Sequence, residues 1–359
     1  MPRTFLSIQY LRGVAAVLVV YFHTKVYLAD YAWGLPRKFG YSGVDLFFCI
    51  SGFIMMHTTL GRPMRPVAFL RRRFERVYPL YWLLTLTSLG LYVVLPSAFI
   101  DGSATLSHAV LSLLLIAHDD APVLKIGWTL VYEVYFYALF AIMLLIPRKG
   151  PRMLALLATI TGLVALGALL TPQSPVLQTY THPFLLEFLA GAVLGYALRS
   201  ERFPALPGVV LFGCVLVGML LMGLGAERQS GDGFSRVAWF GSGATLIVFA
   251  GLCRERQGQL FEAPWLRELG DASYSLYLAH PFVLTAFRQV GRRLGLAAAS
   301  PLAEGAVVIA AILVSIGAGW LLYRFVETPL RAFVRGRRTG RPSATDIDPG
   351  APIPAPLGS

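Results

Sequence analysis

Apolar residues in this chain come in long runs, not in the short alternations or narrow stripes of a soluble fold. A helix that crosses a bilayer needs about 20 largely apolar residues. On that basis the pattern predicts spans near 7–28, 42–58, 78–96, 128–147, 153–171, 182–199, 206–225, 236–253, 271–290 and 303–325. The expected fold class is all-α, a polytopic transmembrane helix bundle of about ten helices. The run 106–118 is too short to span and is expected to be interfacial or re-entrant. Arg12 interrupts the first run and no small-residue cleavage site with the usual flanks follows it, so that run reads as a retained helix, not a signal peptide. No period of 20–50 residues repeats. The last residues, from Gly340, are rich in Pro, Gly and Ala. This composition divides the chain into a membrane domain, 1–338, and a disordered cytoplasmic tail, 339–359.

Composition supports lipid as the main solvent: 56% of the 359 residues are hydrophobic and 14% charged, against about a quarter charged in a soluble domain. The net charge of +12 would suggest nucleic acid in a soluble protein. Here it reads as cationic loops held against the cytoplasm and its anionic lipids, and no nucleic-acid partner is expected. One alternate set of loops holds Arg62, Arg65, Arg71, Arg72, Arg73 and Arg76, with further cations at 148–152, 199–203, 254–267 and 331–341. The opposite set holds only Arg37, Lys38, Lys125, Arg228, Arg236, Arg288, Arg292 and Arg293. The positive-inside rule therefore puts the first set, and both termini, in the cytoplasm. The cluster at 288–293 breaks this pattern. Cys49, Cys214 and Cys253 lie within apolar runs without metal-ligand spacing.

An ionisable side chain at the centre of a spanning helix costs about 2.5–3.5 kcal/mol on insertion scales, so each one calls for a function or a partner. Arg12 and His23 lie on the first helix, eleven positions apart. At 100° and 1.5 Å per residue they share one face, about 16 Å apart. A snorkelling Arg with a helix-packing His would satisfy the same spacing. Glu133 and Asp45 fall at a depth comparable to His23. A carboxylate beside a His makes a workable general base, although Asp45 also suits a helix N-cap beside Ser42 and Gly43. His280 precedes Pro281, which releases a backbone carbonyl one turn earlier and can open a polar pocket; a packing His is the alternative. Glu187 and Asp271 fit helix-end or packing roles. Arg73 and Arg76 stand at i and i+3 on one helix face, a spacing that suits either a multiply phosphorylated cofactor or lipid headgroups.

Taken together, IQYLRGVAAVLVVYFH, GVDLFFCISGFIM, FLRRRFERVYPLYW, GWTLVYEVYFYALF, FLLEFLAGAVLG, LGDASYSLYLAHPF and FVETPLR resemble the acyltransferase-3 family of bacterial membrane O-acyltransferases. The likeness covers most of 5–335, and the opening with HPFLLEFLAGAVLG looks closest to the branch that acetylates exopolysaccharides. Arg12 and His23 match the family's basic residue and His on the first helix. Arg73-Phe-Glu-Arg76 matches its Arg-x-x-Arg motif, and Glu133 its glutamate in the WTLxYE segment. The resemblance implies ten helices, acetyl-CoA as acyl donor, and transfer to a hydroxyl of an extracytoplasmic or lipid-linked carbohydrate at the bacterial inner membrane. Some family members carry an appended esterase-like domain. This chain ends in a short tail, so it is expected to work alone or with a separate partner from polysaccharide biosynthesis.

The mechanism expected on these grounds has Arg73 and Arg76 hold the cofactor phosphates and Arg12 line the path, while His23 is the catalytic base or acyl carrier and Glu133 orients it. Asp45, Tyr132, Tyr135 and His280 are candidate substrate residues. No metal is implied. Intramembrane His and carboxylates also serve proton relays, so a transporter or flippase is the alternative, and a membrane sensor a third.

Overall fold

The computed structural model describes residues 5–28, 37–60, 64–94, 105–199, 203–228, 233–293 and 301–336; the expected tail, 339–359, lies outside them. Among the described residues the chain is all-helical, without strands. In order the helices are α1 (Leu6–Tyr27), α2 (Ser42–Leu60), α3 (Pro66–Val94), α4 (Leu106–Leu114), α5 (Trp128–Met143), α6 (Lys149–Leu170), α7 (Pro175–Tyr180) and α8 (Leu185–Ala197). There follow α9 (Gly208–Glu227), α10 (Gly233–Arg256), α11 (Pro264–Asp271), α12 (Ser273–Arg293), α13 (Pro301–Leu322) and α14 (Thr328–Gly336). A π-helical turn, Val237–Gly241, interrupts α10, and another, Tyr323–Glu327, joins α13 to α14.

Among the described residues, seven helical stretches are long and apolar enough to cross a membrane: Leu6–Tyr27, Lys38–Leu60, Lys125–Met143, Lys149–Leu170, Gly208–Glu227, Gly233–Arg256 and Ala303–Val334. The other three expected spans form helices of different character. The described part of the run 78–96, 78–94, is the later part of the 29-residue α3, whose first turns carry four arginines. The run 182–199 yields only the 13-residue α8, about 20 Å long. The run 271–290 becomes α12, with Pro281 inside it and arginines at its end. The short run 106–118 forms α4, of nine residues. Thr105 caps its start, and Leu115 ends it in the left-handed conformation. Its last carbonyls accept from α3: Tyr81 Oη bonds Ser112 O at 2.8 Å, Trp82 Nε1 bonds Leu113 O at 2.8 Å and Tyr78 Oη bonds Leu114 O at 3.0 Å. These side chains satisfy groups a helix end leaves open.

Burial separates inner from outer helices. In the 38–60 stretch 78% of the apolar segment is buried, against 22% in Lys149–Leu170, so α2 is central and α6 presents most of its surface to lipid. Close backbone approach holds α2 against α8. A Cβ on Gly191 would lie 1.8 Å from Cys49 O, and one on Gly52 would lie 1.9 Å from Phe188 O. Small residues at such crossings let helices associate where no hydrophobic drive exists between lipid and protein. α1 packs on α2, α11 and α12. Its start is tied to the end of α10 by Glu255, which accepts from the backbone N–H groups of Leu6 and Ser7, each at 2.9 Å, and from Ser7 Oγ at 2.6 Å. A carboxylate there suits the positive end of the helix dipole and fixes the height at which α1 delivers Arg12 and His23.

Candidate active site

Two cavities among the described residues bear on α1, one towards each of its ends. The first, with about 730 Å3 of open space, is lined by Arg12, Arg73, Arg76 and Glu133, together with Ser51, Thr129, Tyr137, Ser273, Tyr274 and Tyr277 and apolar residues of α2 and α3. Three guanidinium groups from α1 and α3 thus converge on one space. Arg12 is 8% exposed and donates to Gln9 Oε1 at 3.2 Å. Arg73 lies over the rings of Phe69 and Tyr137, 5.5 and 5.8 Å from their centroids, which places its planar fork against aromatic walls. Tyr274 Oη donates to Val77 O at 2.7 Å and so ties α12 to α3 beside these arginines. Glu133 accepts from Ser51 Oγ at 2.8 Å and from the Tyr137 hydroxyl one turn along α5.

The second cavity, with about 1020 Å3 of open space, is lined by His23, Tyr27, Ser88, Lys125, Trp128, Phe282, Thr285 and Arg288 among others. His23 Nδ1 lies 2.9 Å from Val19 O. A carbonyl can only accept, so Nδ1 carries the proton and Nε2 is the basic nitrogen. The His23 ring packs against His280, centroid to centroid 4.7 Å. His280 is fully buried. Its Nδ1 approaches Leu276 O at 3.3 Å, and its Nε2 is a buried atom without a hydrogen-bond partner. Pro281, next along, removes the hydrogen bond that the Tyr277 carbonyl would otherwise accept.

Between the cavities stands Tyr277. It lines the arginine cavity, its ring lies 5.9 Å from that of His280, and its hydroxyl donates to Ile126 O at 2.6 Å while lying 2.6 Å from Thr129 Oγ1. Ile126 and Trp128 line the far side. The path expected from Arg73 and Arg76 past Arg12 to His23 therefore comprises two spaces with Tyr277 at their junction.

Several expected site residues lie apart from both cavities. Asp45 is fully buried and forms a forked ion pair with Arg236: Nη2 to Oδ2 at 2.8 Å and Nε to Oδ1 at 3.1 Å. That guanidinium is sandwiched between the rings of Tyr41 and Phe184, 3.6 and 4.6 Å away, just before the π turn of α10. Tyr132 sits among Trp128, Phe184 and His182, at ring distances of 6.0, 5.5 and 5.6 Å, and Tyr135 packs on Tyr180 at 4.6 Å. The reason is the helical period. At 100° per residue, the face of α5 that turns Glu133 and Tyr137 to the cavity turns Tyr132 and Tyr135 towards α7 and α8. No hydrogen bond joins Glu133 to His23 among the described residues; the rings that His23 meets are those of His280, Phe22 and Tyr27. Sequence reasoning missed Ser51, Tyr137, Tyr277 and Arg236. Tyr277 stood within the quoted DASYSLYLAHPF stretch, and Arg236 was counted only as a loop cation. Among the described residues there is no cluster of three or more His, Cys, Asp or Glu that could hold a metal ion.

The bundle thus carries a cavity of convergent arginines on one side and an imidazole packed against a second imidazole on the other. Residues 5–324 match the acyltransferase-3 family, described as an acyltransferase domain, and the chain belongs to that family: it is a membrane O-acyltransferase. It is 36% identical over 310 residues to the exopolysaccharide production protein ExoZ of Rhizobium meliloti, covering 83% of this chain and 92% of that protein. It is 28% identical over 377 residues to the acyltransferase MdmB of Streptomyces mycarofaciens, covering 96% and 95%. It is also 31% identical over 292 residues to the putative membrane-bound transacylase BcsY of Komagataeibacter xylinus, covering 76% and 71%. No solved structure matches.

Proposed function

We propose that this enzyme moves an acetyl group from cytoplasmic acetyl-CoA to a hydroxyl of an extracytoplasmic or lipid-linked glycan, an exopolysaccharide or its precursor. In this scheme the bundle comprises about ten spans with both termini inside, in the bacterial inner membrane. The observation that carries the reading is the convergence of Arg12, Arg73 and Arg76 on one cavity while α1 presents His23 to a second one. Guanidinium groups bind phosphate oxygens bidentately, which suits a donor with several phosphates. The rise from Arg12 to His23, about 16 Å at 1.5 Å per residue, suits the reach of a pantetheine arm past Tyr277.

At the far end His23 Nε2 takes the proton from the acceptor hydroxyl as its oxygen attacks the thioester carbonyl. The C–S bond then breaks, and the departing thiolate takes up the proton. In the variant with a covalent step, Nε2 itself attacks the carbonyl and the C–S bond breaks; the hydroxyl oxygen then takes the acyl group from the ring, and its proton passes to the departed thiolate. His280 holds the His23 ring in place by packing. Glu133, held by Ser51 and Tyr137, acts on the donor side and balances the arginine charge there. Asp45, Tyr132 and Tyr135 act as scaffold around the site.

The test is purified protein in proteoliposomes with labelled acetyl-CoA and an oligosaccharide acceptor. Transfer falls about 10²-fold or more in His23→Ala, with the melting temperature kept. A transporter would leave the thioester intact, and that outcome removes the proposal.

A further inference from the structure

Arg288, with Arg292 and Arg293, departs from the charge asymmetry of the loops, since it stands on the side where cations are otherwise scarce. The structure gives Arg288 another setting. It lines the His23 cavity, half-buried, together with Lys125 of the turn before α5. Its Nε is a buried atom without a hydrogen-bond partner. Ser88, 1% exposed, lines the same space with its Oγ likewise unpartnered. Thr285 lies one turn before Arg288 on the same face of α12. Among the described residues that line this cavity there is no aspartate or glutamate. Trp128 supplies an aromatic wall on which a sugar face can stack.

A buried polar group without a partner is costly, and the Arg288 guanidinium on the cavity wall raises the local concentration of anions. We infer that the His23 cavity binds an anionic acceptor, a glycan bearing a carboxylate or phosphate group, with Arg288 and Lys125 as the residues that select for that charge. The inference rests on the acyl-transfer reading above and adds the substrate class to it. Arg288 is the stronger determinant, because its guanidinium forks onto two oxygens and is partly shielded from water. Lys125 is exposed and acts at longer range, where salt screens it.

The experiment compares three oligosaccharide acceptors with the full-length protein in proteoliposomes: one carrying a uronic-acid carboxylate, one linked to a polyprenyl diphosphate, and one neutral. kcat/KM is measured for wild type, Arg288→Gln, Arg288→Lys and Lys125→Gln. The readout is the ratio of anionic to neutral acceptor within one preparation, so the folded fraction cancels. In wild type the ratio is expected to be about ten or more for one of the anionic acceptors, as loss of a charge-assisted hydrogen bond implies. Whichever of the two is preferred identifies the charged group. Arg288→Gln brings the ratio towards one, Arg288→Lys keeps part of it, and Lys125→Gln lowers it in a salt-dependent way. Equal kcat/KM of wild type on all three, or a ratio that both Gln variants leave unchanged, overturns the inference and leaves acyl transfer standing. Thioester consumption with no transfer to any glycan overturns the acyl-transfer reading and takes this inference with it.

Discussion

Removing the Asp45 carboxylate is expected to cost the protein its stability while leaving acceptor recognition alone. The ion pair with Arg236 has side chains 0% and 7% exposed, two bonds of 2.8 and 3.1 Å and aromatic rings on the guanidinium faces. Asp45→Ala removes the carboxylate that is hydrogen-bonded to a buried cation, a change that costs about 3–5 kcal/mol, less whatever the neighbouring buried Glu187 carboxyl takes over. At about 2 °C per kcal/mol for a chain of this size, the melting temperature should fall by roughly 6–10 °C. Replacing both partners with apolar groups removes the orphan charge, so Asp45→Ala with Arg236→Met should recover most of the loss. Differential scanning fluorimetry of detergent-solubilised protein measures both, and acceptor KM on the folded fraction measures the rest. If Asp45→Ala melts with wild type and raises acceptor KM, Asp45 is a substrate group and the scaffold argument fails. If the double variant melts no higher than the single one, the orphan-charge account fails.

Arg73→Gln or Arg76→Gln should raise donor KM about ten-fold or more, the loss of one charge-assisted bond to phosphate. The rise should shrink when the donor lacks phosphates, as steady-state kinetics on truncated thioesters will register. Glu133→Gln keeps an acceptor oxygen for Ser51 and Tyr137 but drops the charge beside the arginines. It should lower kcat with a melting shift of about 1 kcal/mol or less, and an unchanged kcat removes Glu133 from the chemistry. Gly191→Ala puts a methyl group 1.8 Å from Cys49 O, which forces α2 and α8 apart at a cost of about 2–3 kcal/mol. Gly162→Ala, with nothing within 4 Å of the new Cβ, should instead be neutral or stabilising by about 0.5–1 kcal/mol. Equal melting of the two variants would refute the close-packing account.

Local pattern was enough to read an all-helical membrane chain, the shortness of 106–118 and the family, because apolar run length and ordered motifs are written in neighbouring residues. Arg12, Arg73 and Arg76, which motif and spacing singled out, line one cavity. Spacing along one helix was also readable, since it follows from the rise per residue. Azimuth between helices was not. Whether Glu133 meets His23 or Ser51, and whether Asp45 caps a helix or pairs with Arg236, depends on contacts 82 and 191 positions apart in the chain. Nothing local encodes such contacts.

The sequence by itself determined that this protein lives in lipid, that it is built of helices, and which side chains are too costly to be there idly. The tertiary structure decided which of them meet. Helix packing set His280 against His23, sent Tyr132 and Tyr135 into aromatic packing, and placed Tyr277 between two spaces where one path was expected. The reason is physical: a charge in a membrane declares its cost to any reader of the chain, but its partner is chosen by how neighbouring helices rotate and approach, which depends on the packing of the whole bundle.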